Sequence, residues 1–164
     1  MKKIGIISDT HGFIDSKIKD FFKDTDIILH AGDIGDAEII KELRNISKLI
    51  AVYGNIDNTI IRQITSEFEI IKIENVKIIM IHIGGYPDRY QPMLYKMIIN
   101  ERPNLVITGH SHILKVINDK KLNHLHINPG AYGKNGFHKV RTAIRLTIDD
   151  NNMKDLEVLE LNRK

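Results

Sequence analysis

The chain has 164 residues, 42% hydrophobic and 27% charged, enough for one sizeable core, so a single domain over residues 1–164 is expected. It contains no Cys, which excludes disulfide scaffolds, zinc fingers and cysteine nucleophiles and leaves nitrogen and oxygen as the only donors for a metal. The net charge of +3 is scattered, without a run of like charge, weak ground for nucleic-acid binding, and no apolar stretch approaches the roughly 20 residues a bilayer needs, so a cytoplasmic protein without a membrane partner is expected.

The first third reads as β-α-β-α-β. KKIGIIS (2–8), DIILHAG (26–32) and KLIAVYG (48–54) are short Ile/Val-rich runs ending in or beside Gly, the pattern of parallel strands buried on both faces. Between them, 15–23 carries Ile18, Phe21 and Phe22 at helical spacing, and 36–45 carries Ile39, Ile40 and Leu43. Asp15 and Asp36 stand where N-caps belong. EFEIIKIE and VKIIMIHI are joined only by Asn75, too short for a crossover, which predicts an antiparallel hairpin. A helix over about 90–100 should end at Arg102-Pro103. NLVITG is another buried strand, HILKVIND and KLNHLHIN should pair across Lys120-Lys121, and strands over about 141–148 and 155–161 should close the chain around a polar turn at 149–152. Together these predict two sheets with helices outside them, the first half parallel and the second rich in hairpins.

Each apolar strand is followed by polar residues of one kind. Asp9-Thr10-His11 follows the first, Asp33 the second, Asn55 and Asp57 the third, His82 the VKIIMI run and His110-Ser111-His112 the NLVITG run. In open α/β folds ligands bind beyond the carboxyl ends of the strands, so these clusters should converge on one edge. Any one of them alone reads as a turn residue, a cap or a core histidine. Five together, with Gly12, Gly32, Gly54, Gly84 and Gly109 beside them, point to a site. Two Asp, one Asn and four His are too many donors for one ion that keeps an open position, whereas two divalent ions sharing a bridging carboxylate fit. Such ions against Asp9 and Asp33 leave about +2, or about +1 with a bridging hydroxide, a charge that draws phosphate esters. Imidazole-rich ligation suits Mn, Fe, Zn or Ni better than Mg or Ca.

These residues, D-x-H at 9–11, G-D at 32–33, G-N-x-D at 54–57, H-I-G-G from His82, G-H-S-H at 109–112 and N-P-G at 128–130, resemble in order the motifs of the calcineurin-like metallophosphoesterase superfamily. They look most like its small, single-domain bacterial and archaeal phosphodiesterases of the YfcE type. The resemblance, over residues 4 to about 131, implies an α/β fold that is a four-layer α/β/β/α sandwich, two mixed β-sheets flanked by helices. It implies two divalent metal ions, Mn2+ foremost, with Ni2+, Fe2+ or Zn2+ as alternatives. Asp9, His11 and His112 would hold the first ion and Asn55, His82 and His110 the second, with Asp33 bridging. A bridging water would attack phosphorus in line, so Asp33, Asn55 and His110 serve the reaction as well as the metals. The implied partners are small-molecule phosphate esters, diesters foremost; the oligomeric state, a homo-oligomer included, is left open.

Three departures from the family pattern bear on mechanism. Many members read G-N-H-[DE], that His lying near the leaving oxygen, whereas this chain has Ile56. The proton donor is then Asp57, a metal-bound water, or no group at all, the last suited to good leaving groups such as aryl esters. Ala131 replaces the Ser that often follows N-P-G. In the tract 85–91, Arg89 could reach a substrate phosphate, as could His138 in GFHKVR, against the ordinary reading of solvated loop charges. His30, His124 and His126 fit no ligand position: His30 should hydrogen-bond beneath the site, and the other two should share one face of a hairpin. The alternative function, from another class, is a non-catalytic scaffold like the retromer subunit of this fold. A nuclease is disfavoured, because no basic stripe interleaved with aromatics is present. Short loops predict an open site.

Overall fold

A computed structural model describes residues 1–164. In chain order its elements are β1 (Lys2–Ile7), α1 (Ser16–Phe22), β2 (Ile27–His30), α2 (Ala37–Arg44), β3 (Lys48–Ala51), α3 (Thr59–Ile64), β4 (Phe68–Ile73), β5 (Val76–Ile81), α4 (Pro92–Glu101), β6 (Leu105–Ile107), β7 (Leu114–Asp119), β8 (His124–Pro129), β9 (Val140–Asp149) and β10 (Asn152–Asn162). Two five-stranded sheets result, ordered β10-β9-β1-β2-β3 and β4-β5-β6-β8-β7. Both are mixed. β1, β2 and β3 run parallel, β9 lies antiparallel to β1 and β10 antiparallel to β9, while β5, β6 and β8 run parallel between antiparallel β4 and β7.

Alternation along the strands builds the layers. Ile4 and Ile6 of β1 join Leu29, Met80, Ile107, Ile127 and Ile144 in the core between the sheets. Ile7 and Ile28 face the other way, onto Ile18, Phe22, Ile39 and Ile40 of α1 and α2. On the far side α4 packs Leu94 and Ile98 against Ile79, Ile81 and Val106. The architecture is therefore the expected four-layer α/β/β/α sandwich. Gly5 is needed for this stacking, since a Cβ there would lie 2.7 Å from the Phe22 ring. No helix is long and apolar enough to cross a membrane.

Asp15 and Asp36 cap α1 and α2, their carboxylates accepting from Ile18 N and Glu38 N. Three local features differ from the sequence expectation. α3 was not anticipated, because it is six residues long, buries only Ile61 and so has no amphipathic stripe; Asn58 caps it. The β7–β8 connection has four residues rather than two: Asp119 pairs with His124, its carboxylate accepts from Lys121 N and Leu122 N, and Asn123 adopts φ 60°. β10 starts at Asn152 and absorbs a bulge between Lys154 and Glu157, with Asp155 at φ 54°.

Candidate metal centre

Parallel strands end together, so the segments after β1, β2, β3, β5 and β6 meet along one edge of the sandwich. Backbone bonds lock them: Asp9 N donates to Gly32 O, His11 N to Asp33 O and Gly109 N to His82 O, each at 2.9–3.0 Å. Two contacts join the sheets. His110 N donates to Asp9 Oδ2 at 3.0 Å, and His82 Nδ1 donates to Ala31 O at 2.7 Å. Gly54 lies so close to Asp33 that a Cβ would fall 2.0 Å from Asp33 Oδ1 and 2.4 Å from Asp33 N.

The structure brings all seven sequence-predicted ligands to this edge. Asp9, His11 and His112 form one triad and Asp33, His82 and His110 another, the ligand atoms of each within 4.8 Å of one another. Asp33 Oδ2 joins them, 3.3 Å from His82 Nε2 and 3.7 Å from His11 Nε2. Asn55 belongs to the second triad, its Oδ1 3.1 Å from both His82 Nε2 and His110 Nδ1. Asp9, His11, Asp33, His110 and His112 have φ of 52°, 45°, 53°, 73° and 62°. Non-glycine residues in this region cost of order 1 kcal/mol or more each, and such strain persists where the surroundings over-determine it, typically at functional sites.

The donor chemistry fits metal ions. Asp9 Oδ2 is occupied by Ser8 Oγ at 2.6 Å and by His110 N. Asp9 Oδ1 and His11 Nε2, 3.9 Å apart, are buried with no hydrogen-bond partner. His82 donates from Nδ1 to Ala31 O, which aims its Nε2 at the oxygens of Asp33 and Asn55. Such a concentration of lone pairs is stable only around positive charge. The acid–base balance agrees. Burial pushes Asp9 and Asp33 upward, yet the nearby His112 for Asp9 and His82 for Asp33 outweigh it and hold both carboxyls below the usual range. Burial would lower His82, but Asp33 and Asp9 raise it above the ordinary histidine value.

The remaining sequence candidates separate. Asp57 is buried and accepts from Ile34 N at 3.1 Å and from Gly35 N and Gly54 N at 2.8 Å, so its carboxylate ties the loops after β2 and β3 together. Ile56 is exposed beside Asn55, and its N–H donates to Asp33 Oδ1. Arg89 is exposed and makes no side-chain hydrogen bond or ion pair, and its neighbour Asp88 pairs with Lys121. His138 is half-buried with Nδ1 3.2 Å from His112 Nδ1. His30 lies beneath the edge: its Nδ1 accepts from Gly32 N and its Nε2 meets Thr10 Oγ1 at 3.0 Å. His124 and His126 both contact the Tyr90 hydroxyl, at 2.8 and 3.0 Å.

Sequence reasoning missed Ser8, which orients Asp9, and undervalued Asn128. The Asn128 amide donates to Gly109 O at 2.9 Å and Ser111 Oγ at 3.1 Å, holding the His110–His112 turn. The N-P-G motif was the available signal. Ala131 is fully buried. The edge is open to solvent, with His110 and Asn55 exposed and cavities of about 220 Å³ beside Asn55 and His82 and about 490 Å³ beside His110 and His112.

Comparison with known proteins agrees with this geometry. Residues 1–151 match the model of the calcineurin-like phosphoesterase superfamily domain. The chain is 31% identical over 134 residues to "Probable metallophosphoesterase MJ0623" of Methanocaldococcus jannaschii, a match covering 78% of this chain and 67% of that one. It is 30% identical over 135 residues to a "Probable metallophosphoesterase" of Methanothermobacter thermautotrophicus, covering 78% and 76%. Among solved structures, the archaeal protein of "Structural and Functional Characterization of a Novel Archaeal Phosphodiesterase" superposes with a TM-score of 0.69 at 27% identity, covering 96% and 99%. Wild-type Vps29 of Entamoeba histolytica in complex with Zn2+ superposes with a TM-score of 0.75 at 21% identity, covering 99% of both chains, a likeness of fold.

Proposed function

The chain belongs to the calcineurin-like phosphoesterase superfamily, and from that membership we propose that it is a binuclear-metal-dependent phosphoesterase hydrolysing small phosphate esters, diesters foremost. The observation that carries this reading is the pair of triads joined at Asp33, with Asp9 Oδ1 and His11 Nε2 buried and without partners between them. When bound, two divalent ions, Mn2+ foremost, would supply an activated water and the positive charge that neutralises phosphoryl oxygens.

The residues divide the remaining work. Asp9, His11 and His112 would hold one ion, Asn55, His82 and His110 the other, and Asp33 both. Asn55 contributes an oxygen without a third negative charge, so a site of two Asp and two divalent ions stays near +2 and attractive to a phosphate anion. Ala31 O and the Ser8 hydroxyl hold His82 and Asp9 in place, which keeps the geometry set before substrate arrives. Ile56 offers no proton to the leaving oxygen, so esters of acidic alcohols such as phenols are the favoured substrates. The archaeal phosphodiesterase neighbour supports a diester over a monoester.

The test is turnover of an aryl phosphodiester by Mn2+-loaded protein. Hydrolysis well above that of Mn2+ alone, reduced at least 100-fold in Asp33→Ala, is expected. Absence of turnover in protein that binds two ions would favour the scaffold reading that the Vps29-like fold invites.

A further inference from the structure

His138 lies in the segment between β8 and β9, outside both triads. Its Nε2 is 2.8 Å from Gly133 O. A carbonyl oxygen only accepts, so Nε2 carries the ring proton and Nδ1 is a bare acceptor. That Nδ1 lies 3.2 Å from His112 Nδ1, with the two rings edge-on at 78° and 5.0 Å between centroids. His112 Nδ1 must then be the donor, which leaves the lone pair on His112 Nε2, the atom 3.2 Å from Asp9 Oδ1.

The Gly133 peptide that begins this chain is anchored in turn, its N–H donating to Asp9 O at 2.9 Å. The contacts close a ring from the Asp9 backbone through Gly133, His138 and His112 back to the Asp9 carboxylate. Space is made for it by glycine: a Cβ at Gly133 would meet Thr10 O at 2.4 Å, and one at Gly136 would meet His112 Nδ1 at 2.3 Å. The second triad has no such imidazole, because His82 is aimed by a backbone carbonyl, Ala31 O.

From this geometry we infer that His138 is a positioning residue for one metal site only: it fixes the tautomer and orientation of His112 and thereby sets affinity at the Asp9–His11–His112 triad, leaving the Asp33–His82–His110 triad untouched. The inference rests on the metallophosphoesterase reading. It gives His138 a role behind a ligand, where the sequence left it open between a substrate contact and a solvated loop residue. Outer partners of metal-bound histidines are worth about 10–100-fold in metal affinity.

The experiment is Mn2+ titration of metal-free protein, followed by calorimetry and by the electron paramagnetic resonance signal of free Mn2+. It compares wild type with His138→Ala, His138→Phe and His138→Asn, with the melting temperature of each metal-free protein. Two sites are expected in wild type. In the Ala and Phe variants one site should weaken by about 10–100-fold while the other holds. Asn, whose Oδ1 can accept from His112 Nδ1, should recover most of the loss. Phe keeps the ring volume, so a packing role would leave Phe intact and Asn impaired, and that pattern would overturn the inference. So would two unchanged sites in all three variants, or equal weakening of both. Wild-type protein that takes up no Mn2+ would instead overturn the metallophosphoesterase reading beneath it.

Discussion

Asp57 and Ile56 show how much a residue's neighbours decide. In the sequence Asp57 stands two places after Asn55 and qualifies as a proton donor for the leaving group. In the fold both its oxygens are engaged by backbone N–H groups of Ile34, Gly35 and Gly54. Asp57→Asn would turn an NH2 group toward at least one of those donors, a cost of about 1–3 kcal/mol. The variant should melt lower and lose activity on aryl and alkyl esters alike. A loss confined to alkyl esters would instead make Asp57 the proton donor that Ile56 cannot be. The candidate ligands were legible because Asp, Asn and His at strand ends are the residue types metal chemistry needs. Ser8, and the contact of His138 with His112, were not, because a Ser beside an Asp or a His in a polar loop is commonplace until its distance to such a residue is known.

At the scale of elements, the long, strongly patterned strands were legible and α3 was not. A helix of six residues cannot sustain itself and forms only where caps and contacts hold it. Here Asn58 Oδ1 accepts from Ile61 N at 3.1 Å, and Arg62 reaches back to Asp57 O at 2.8 Å, Gly54 O at 3.3 Å and Asn55 O at 3.4 Å. α3 is thus the clamp on the loop that presents Asn55. Asn58→Ala should cost about 1 kcal/mol, the usual value of an N-cap. Faster hydrogen exchange at the amides of Ile61 and Arg62 and weaker metal binding at the second triad are expected; unchanged exchange would show that Arg62 alone holds the loop. The β7–β8 turn failed for a similar reason, since Asp119 converts a two-residue connection into four by accepting two backbone N–H groups that the strand pattern does not reveal.

For the whole molecule, burial of histidine predicts a pH dependence. Burial pushes His126 down to about 4, and His30 likewise, so both are neutral in the native state at pH 7. In the unfolded chain they titrate near 6.5. Stability from these groups is therefore complete above about pH 6.5 and is lost as pH falls from there toward 4, at up to about 1.4 kcal/mol per pH unit for each. Urea midpoints at pH 7 and pH 5 should show the fall, and His126→Gln, though less stable at pH 7, should lose less between them. An equal loss would place the pH dependence elsewhere. By itself the sequence determined two sheets with helices outside them and the seven candidate ligands at their strand ends, because apolar period and strand-end chemistry are local properties. Only the tertiary structure decided that Asp33 Oδ2 joins two triads, that Asp57 is spent on backbone and that His138 stands behind His112. Those roles depend on distances of 3–4 Å between residues up to about a hundred positions apart in the chain, and such distances exist only once two sheets have closed on one core.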